Sequence, residues 1–224
     1  MTDLSIDLKD VHLTLGSDAG KVNILRGASL ALGKGETGSL VGPSGSGKSS
    51  LLLVTAGLEP ATDGAVRVGG SDLTGMDEDE RARFRRERIG VVFQAFHLIP
   101  SMTAIENVAV PLELAGRKNA WATARAELAN VGLADRETHL PSELSGGEQQ
   151  RVAIARAFAT EADILLADEP TGNLDGDTGA AVIDLMFGQA AERGAALLLV
   201  THDTDLAQRC DKRYRMADGV VLAG

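Results

Sequence analysis

The sequence contains no run of eighteen or more apolar residues, so we expect no helix that spans a bilayer. Its first seven residues include no basic stretch followed by an apolar one, and we therefore predict no secretory signal. Cysteine occurs once, at Cys210, which excludes an internal disulfide and fits a reducing compartment without proving it. No His or second Cys lies beside Cys210 to activate its thiol, which favours a structural role.

Aromatic residues and positive charge are also scarce. Aromatics make up 3% of the chain, which argues against a platform that stacks the bases of single strands. The 22 Lys and Arg residues face 32 Asp and Glu residues, giving a net charge of -10 and a pI of about 4.9. Such a chain is repelled by nucleic acid and by anionic lipid, so at a membrane another protein has to hold it.

The 224 residues fit one large α/β domain that carries an inserted subdomain. Short strands are predicted near the N-terminus, with Gly16 as a turn, and apolar strands without alternation then indicate a parallel sheet buried on both faces. From Phe96 to about Phe158 the pattern is helical, with a capping box at Thr103 and Glu106. Strands and helices alternate again afterwards, and a hairpin is predicted around Asp218.

A glycine-rich segment, Gly42-Pro43-Ser44-Gly45-Ser46-Gly47-Lys48-Ser49, fits the phosphate-loop pattern G-x-x-x-x-G-K-[ST]. Glycines let main-chain N–H groups turn toward phosphate oxygens, and the helix that follows points its positive end at them. Lys48 is predicted to reach the β and γ phosphates, and the Ser49 hydroxyl to bind Mg²⁺. A strand before the loop and a helix after it supply the required context.

Two adjacent carboxylates end a buried strand that begins at Asp163. Ligands of open parallel sheets lie beyond the carboxyl ends of the strands, so Asp168 is expected beside the phosphate loop. There Asp168 can hold the Mg²⁺ shell, and Glu169 can polarise the attacking water. Without the phosphate loop, the pair could equally be a solvated strand end.

A second anion site without a lysine is predicted at Leu144-Ser145-Gly146-Gly147-Glu148-Gln149-Gln150-Arg151. Ser145 can cap a helix whose first N–H groups are left accessible by Gly146 and Gly147. One bound ATP needs one phosphate loop, so a separate γ-phosphate sensor makes sense if it serves the nucleotide of another copy. The alternative is an ordinary helix start.

Leu144–Glu148 resembles the signature motif of ABC ATPases, and its place between the phosphate loop and Asp168 matches that family over essentially the whole chain. The resemblance implies a Q-loop at Gln94, which contacts Mg²⁺ and water and senses the membrane partner. It also implies a D-loop at the dimer interface, Gly172-Asn173-Leu174-Asp175, and a γ-phosphate switch at His202. Ser50 joins the predicted nucleotide contacts. Metal ligands are then Ser49, Gln94 and Asp168, and catalytic residues are Glu169, His202 and Gln94.

The same resemblance implies a RecA-like P-loop core with an N-terminal antiparallel β-subdomain and an inserted helical subdomain. Residues 1–94 and 158–224 would form the core and β-subdomain, and residues 95–157 the helical subdomain. Two copies would sandwich two Mg-ATP, Lys48 of one copy facing Ser145 of the other. ATP would be hydrolysed to ADP and phosphate at the cytoplasmic face of the membrane, where a permease holds the dimer.

Finer motifs, Pro170-Thr171-Gly172-Asn173-Leu174-Asp175 among them, resemble the ATPases of lipoprotein release and MacB-type efflux, and YbbA-like members most. Permeases of that subgroup carry large extracytoplasmic domains, and their cycles often transmit motion across the membrane instead of moving substrate through it. One departure is Leu15, which stands where the family commonly stacks an aromatic on adenine. Weaker nucleotide affinity and a less sharp preference for adenine are expected from this.

Two alternatives and two surface features stay open. ABC-type ATPases of DNA repair need a long coiled coil and those of translation two cassettes, and neither feature is found. A non-hydrolysing scaffold is disfavoured because both carboxylates and His202 are present. The five arginines between Arg81 and Arg88 are predicted to pair with Glu78, Glu80 and Glu87, or else to contact anionic partners. Phe96, Leu98, Ile99 and Met102 could dock a permease helix or form core.

Overall fold

The computed structural model describes residues 4–17 and 20–223, and two β-sheets organise it. An antiparallel sheet with the strand order β2-β1-β4-β5 contains the N-terminal strands, and a six-stranded sheet has the order β10-β9-β3-β8-β7-β6. The strands are β1 (Leu4–Ser17), β2 (Gly20–Gly33), β3 (Thr37–Val41), β4 (Asp63–Val68), β5 (Ser71–Asp72), β6 (Ile89–Phe93), β7 (Ile164–Asp168), β8 (Ala196–Val200), β9 (Lys212–Ala217) and β10 (Val220–Ala223).

The N-terminal hairpin is longer than the sequence indicated. β1 and β2 have 14 residues each, although only short strands were predicted, and Gly16 pairs with Lys21 instead of forming a turn. Four register irregularities between the strands explain the difference, because bulges absorb residues that break the alternation without ending the pairing. One of them includes Asp10, which has a left-handed φ of 51°.

Strands β3, β7 and β8 of the six-stranded sheet are buried on both faces, as predicted from their uninterrupted apolar sequences, whereas β9 and β10 keep exposed residues such as Arg213 and Leu222. Alternate residues of one strand belong to different cores: Leu165 and Ala167 of β7 face the helical core, whereas Ile164 and Leu166 face the core shared with the N-terminal sheet. Strands β6, β7, β8, β3 and β9 run parallel, so their carboxyl ends meet at one edge. Ligand-binding residues are therefore expected at that edge.

Seven α-helices are described: α1 (Lys48–Thr55), α2 (Glu78–Arg88), α3 (Ala104–Leu114), α4 (Ala120–Asn130), α5 (Gly146–Phe158), α6 (Gly176–Arg193) and α7 (Thr204–Gln208). The capping box of Thr103 and Glu106 starts α3 as predicted. Helix α6 starts at Gly176, because the Asp175 side chain accepts the N–H of Thr178 and caps it. Helices α3, α4 and α5 share one core, but the division at residues 95–157 stays a prediction.

The predicted hairpin near Asp218 is confirmed, since β9 and β10 pair across it. Asp218 and Gly219 both have positive φ values, 49° and 79°, the two left-handed residues that a tight hairpin turn requires. A side chain at position 219 would clash with the carbonyl oxygen of Ile24 at 2.4 Å. The turn therefore packs closely on β2. Within residues 4–17 and 20–223, no helix is long and apolar enough to cross a membrane.

Candidate nucleotide-binding site

The glycine-rich loop connects β3 to α1, in the context that the sequence predicted. Gly47 caps α1 with a φ of 102°, and a β-carbon there would lie 3.0–3.2 Å from Met216, Ile24 and Leu25. At Gly42 an added β-carbon would lie 2.2 Å from the carbonyl oxygen of Met216. Two of the motif glycines are thus required because the loop is pressed between β9 and β2.

Lys48 lies in the first turn of α1 and is buried. Its ammonium donates to the main-chain oxygens of Gly42 and Pro43, both at 2.9 Å. These bonds fold the lysine back over the loop that carries it. The charge therefore lies against the loop, where it can contact a phosphate bound there.

A cavity of about 640 Å³ opens over this loop at the carboxyl edge of the sheet. The structure brings most of the predicted site residues together there: Gly42, Ser44, Gly45, Gly47, Lys48, Ser49, Ser50, Gln94, Asp168, Glu169 and His202. Ile24 of β2 also lines it. Pro43 and Ser46 belong to the loop but not to the cavity lining, and Ser46 is buried.

Asp168 ends β7, between Phe93 of β6 and Val200 of β8. Its Oδ1 is buried and has no hydrogen-bond partner among the described residues. Burial raises the pKa of Asp168, the Ser49 hydroxyl opposes that rise, and the nearby charge of Glu169 adds to it. An orphaned carboxylate oxygen beside a serine hydroxyl is a donor pair that suits a hard cation such as Mg²⁺.

Glu169 follows in a left-handed conformation, with a φ of 45°. Its N–H donates to the carbonyl oxygen of Val200 at 2.9 Å, so the chain stays pinned to β8 while the side chain turns toward the cavity. One carboxylate oxygen lies 3.0 Å from Nδ1 of His202, which comes from the segment after β8. Two residues predicted to be catalytic are thus in direct contact.

Gln94, directly after β6, reaches the same cavity and contacts Asn173, a residue of the predicted D-loop. Its Nε2 donates to Oδ1 of Asn173 at 3.3 Å, and Nδ2 of Asn173 donates to the main-chain oxygen of Gln94 at 2.9 Å. The resemblance placed Asn173 in the D-loop, but it did not predict the contact with Gln94. Periodicity does not predict an exposed polar contact of this kind.

The second predicted anion site lies outside that cavity. Ser145 caps α5, and a capping box joins it to Glu148, whose carboxylate accepts the N–H and the hydroxyl of Ser145 at 2.8 Å. These bonds, with Arg136 beside them, lower the pKa of Glu148 to about 2. A β-carbon at Gly147 would lie 2.4 Å from the Thr178 methyl, so this glycine is required for packing on α6.

Ser145, Gly146, Gly147 and Asp175 are therefore not brought to the nucleotide cavity of their own chain. Asp175 instead caps α6, with a pKa lowered by its bonds to Thr178. Both observations are what a site completed by another copy requires. The reciprocal arrangement itself stays a prediction.

The structure also tests the predictions for the arginines of α2 and for Cys210. Arg81 and Arg85 both pair with Glu78, but Glu80 accepts the N–H of Asp77 in the capping box of α2 and Arg88 pairs with Asp163, so only part of the predicted pairing forms. Cys210 is buried, and burial raises the pKa of its thiol to about 11, which supports a structural role.

Comparison with known proteins agrees with this site. The family described as ABC transporter matches residues 25–172, which contain the phosphate loop, the signature segment and both carboxylates. The chain belongs to the ABC transporter family, as an ATP-binding subunit. The ABC transporter ATP-binding protein YbbA of Escherichia coli (strain K12) is 47% identical over 216 residues, covering 96% of this chain and 95% of YbbA. The lipoprotein-releasing system ATP-binding protein LolD of Maricaulis maris is 48% identical over 221 residues, covering 98% and 96%.

Solved structures of ABC cassettes confirm the fold class. A dimeric post-hydrolysis state of the ATP-binding cassette MJ0796 bound to ADP and Pi superposes with a TM-score of 0.89 at 38% identity, covering 96% of each chain. The predicted RecA-like core with its β-subdomain and inserted helices is therefore confirmed, and so is the YbbA- and LolD-like subgroup. This ABC subunit binds ATP and is an ATPase.

Proposed function

We propose that two copies of this ABC subunit sandwich two Mg-ATP and drive a separate permease of the lipoprotein-release or MacB type. Two observations on relatives support the first half: MJ0796 cassettes are described as dimers, and one such dimer holds ADP and Pi. The name of LolD, a lipoprotein-releasing system protein, supports the second half. The permease, with its large extracytoplasmic domain, would hold this acidic subunit at the inner face of the membrane.

The site supports hydrolysis by water attack on the γ-phosphate. Ser49, Asp168 and Gln94 offer three oxygen ligands, and Mg²⁺ bound there would neutralise phosphate charge. Lys48 and the N-terminus of α5 from the other copy add positive potential where charge develops. Glu169 takes the proton of the attacking water as general base, and His202, 3.0 Å from it, orients the reacting groups.

The permease proposal rests on the segment 96–103, which follows Gln94 and connects the cavity to the protein surface. Asn107 of α3 is buried and fixes this segment: its Nδ2 donates to the oxygens of Ile99, Met102 and Thr103, and its Oδ1 accepts the N–H of Ile99. Ile99 is exposed at 38%. A rigid segment that presents an apolar side chain suits docking of a helix from the permease.

One part of the sequence expectation for this segment needs correction. Leu98 was expected on the docking surface, but it is partly buried against the helical core. Its substitution by a charge would therefore test folding before it tested docking. Ile99 and Met102, exposed and half-buried respectively, are the better positions.

Ile99→Asp and Met102→Asp should abolish assembly with the permease while nucleotide binding and melting temperature stay near those of the wild type. The measurement is recovery of the permease from native membranes with each tagged variant, beside a melting curve and an ATP titration. Leu114→Asp is the matched control, since Leu114 is an exposed apolar residue of the same helical group, at 66%, outside the segment. Assembly that survives both variants would move the docking surface elsewhere.

The base of the nucleotide would lie against aliphatic side chains. Leu15 of β1 pairs across the strands with Val22 of β2, and both are exposed, at 41% and 54%. Ile24, two residues further along β2 at a register irregularity, lines the cavity. These apolar side chains would cover a base by contact alone, which supports the expected less sharp preference for adenine.

A further inference from the structure

The carboxamide of Gln94 has two chemically different ends, and only one can serve the reaction proposed above. Oε1 accepts hydrogen bonds and can approach a cation, whereas Nε2 only donates. In the structure Nε2 donates to Oδ1 of Asn173 at 3.3 Å. With Nε2 held there, Oε1 is the end directed to ligands in the cavity.

Asn173 is in turn held by Gln94. Its Nδ2 donates to the main-chain oxygen of Gln94 at 2.9 Å, so both ends of its side chain act on one residue. A half-turn of either amide would set donor against donor or acceptor against acceptor. The close approach leaves no room for a side chain at Gly172, where a β-carbon would lie 2.6 Å from Nε2 of Gln94.

The segment that carries Asn173 starts at the general base. The N–H of Gly172 donates to the oxygen of Glu169, and the N–H of Leu174 to that of Thr171, both at 3.0 Å. These consecutive turns fix the position of Asn173 in space relative to Glu169. Asn173 therefore links the loop of Gln94 to the loop of Glu169, although it does not line the cavity itself.

We propose that Asn173 is a positioning residue for ATP hydrolysis, which orients the Gln94 amide so that its oxygen faces the Mg²⁺ and water side of the cavity. This inference rests on the role proposed for Gln94 above. Residues that orient a ligand to a metal typically contribute 10–100-fold to metal affinity or activity.

Asn173→Ala should lower kcat by roughly tenfold and raise the Mg²⁺ concentration needed for half-maximal turnover, because the Gln94 oxygen is then no longer held toward the metal. Asn173→Asp keeps an acceptor for Nε2 but sets an oxygen against the Gln94 carbonyl. Its kcat should therefore lie between those of the wild type and of Asn173→Ala. In the nucleotide-free protein, Asn173→Ala should raise amide hydrogen exchange in a peptide covering residues 93–97 only. Asn119→Ala is the matched control, since Asn119 is exposed and its side chain makes no capping bond at the start of α4.

A double-mutant cycle decides how Asn173 acts. If it acts through Gln94, Asn173→Ala should cost nothing further in a Gln94→Ala background. Additive losses would overturn this inference while leaving the role of Gln94 intact, and so would a rise in exchange that spreads over the whole protein. A Gln94→Ala protein with wild-type kcat would overturn both this inference and the proposed role of Gln94.

Discussion

At the scale of single residues, Glu169 adopts an unfavourable backbone conformation at a position that lines the nucleotide cavity. A left-handed φ of 45° costs a non-glycine residue about 1–3 kcal/mol and persists only where neighbours determine it. Here the neighbours are Val200, which accepts its N–H, and Gly172, which donates to its oxygen. The strain turns the carboxylate out of the line of β7 and toward His202 and the cavity.

Glu169→Gln should leave nucleotide affinity intact and abolish turnover, trapping an ATP-bound dimer. The amide fits the same space but cannot take a proton from water. Phosphate release and size measured with and without ATP would check both parts. Turnover within a few-fold of the wild type would show that another group is the base.

At the scale of elements, α5 connects the predicted γ-phosphate sensor to both catalytic loops of its own chain. Ser145 lies at its N-terminus, and buried Gln150 donates to the oxygen of Pro170, next to Glu169, at 2.7 Å. Arg156 donates to the oxygens of Phe96 and His97 at 2.8 and 2.6 Å. Phe96 and His97 both have left-handed φ values, so Arg156 stabilises a bend directly after Gln94.

Arg156→Met should lower kcat and raise hydrogen exchange at residues 94–98, because the two carbonyl oxygens lose their charged donor. The loss of stability should be about 1.5–3 kcal/mol, as for a lost hydrogen bond from a charged donor. Arg156→Lys keeps one charged donor and should recover part of kcat. Arg193→Met is the control, since Arg193 is an arginine of similar exposure that bonds the oxygen of Phe158 and pairs with Glu127 away from Gln94.

That control should lose stability in the melting curve but keep its kcat. If both arginine variants lose stability and kcat to the same extent, or if Arg156→Met keeps kcat, then Arg156 only supports packing. The difference between the two variants is thus the result that matters, not the loss in either one.

The elements differed in how far the sequence predicted them. The phosphate loop, the buried strand before Asp168 and the capping box at Thr103 are local patterns, in which residues close in the chain determine the structure. The 14-residue β1 and β2 depend on bulges and pairing between strands, which periodicity does not register. The contact of Asn173 with Gln94 and the bonds of Arg156 were missed because the partners are 79 and about 60 residues away in the chain.

At the scale of the whole molecule, the predicted site residues fall into two groups on different parts of the surface. One lines the cavity around Lys48, and the other surrounds Ser145 at the start of α5. In the proposed mechanism each group alone lacks a part that hydrolysis requires, because Ser145 does not line the cavity of its own chain. In the proposed dimer, the Lys48 group of one copy meets the Ser145 group of the other at two equivalent sites.

A mixture of two inactive variants tests this arrangement. Lys48→Ala removes the charged contact to phosphate, and Ser145→Arg blocks the helix end of α5, so each homodimer has two defective sites. In a mixed dimer one site combines both defects, and the other combines an intact Lys48 with an intact Ser145. Mixing equal amounts should therefore restore up to about a quarter of wild-type turnover, given random pairing in a two-fold dimer. Phosphate release measured before and after mixing gives the answer. Turnover by Ser145→Arg alone as a monomer, or no gain on mixing correctly folded proteins, would contradict a site shared between copies.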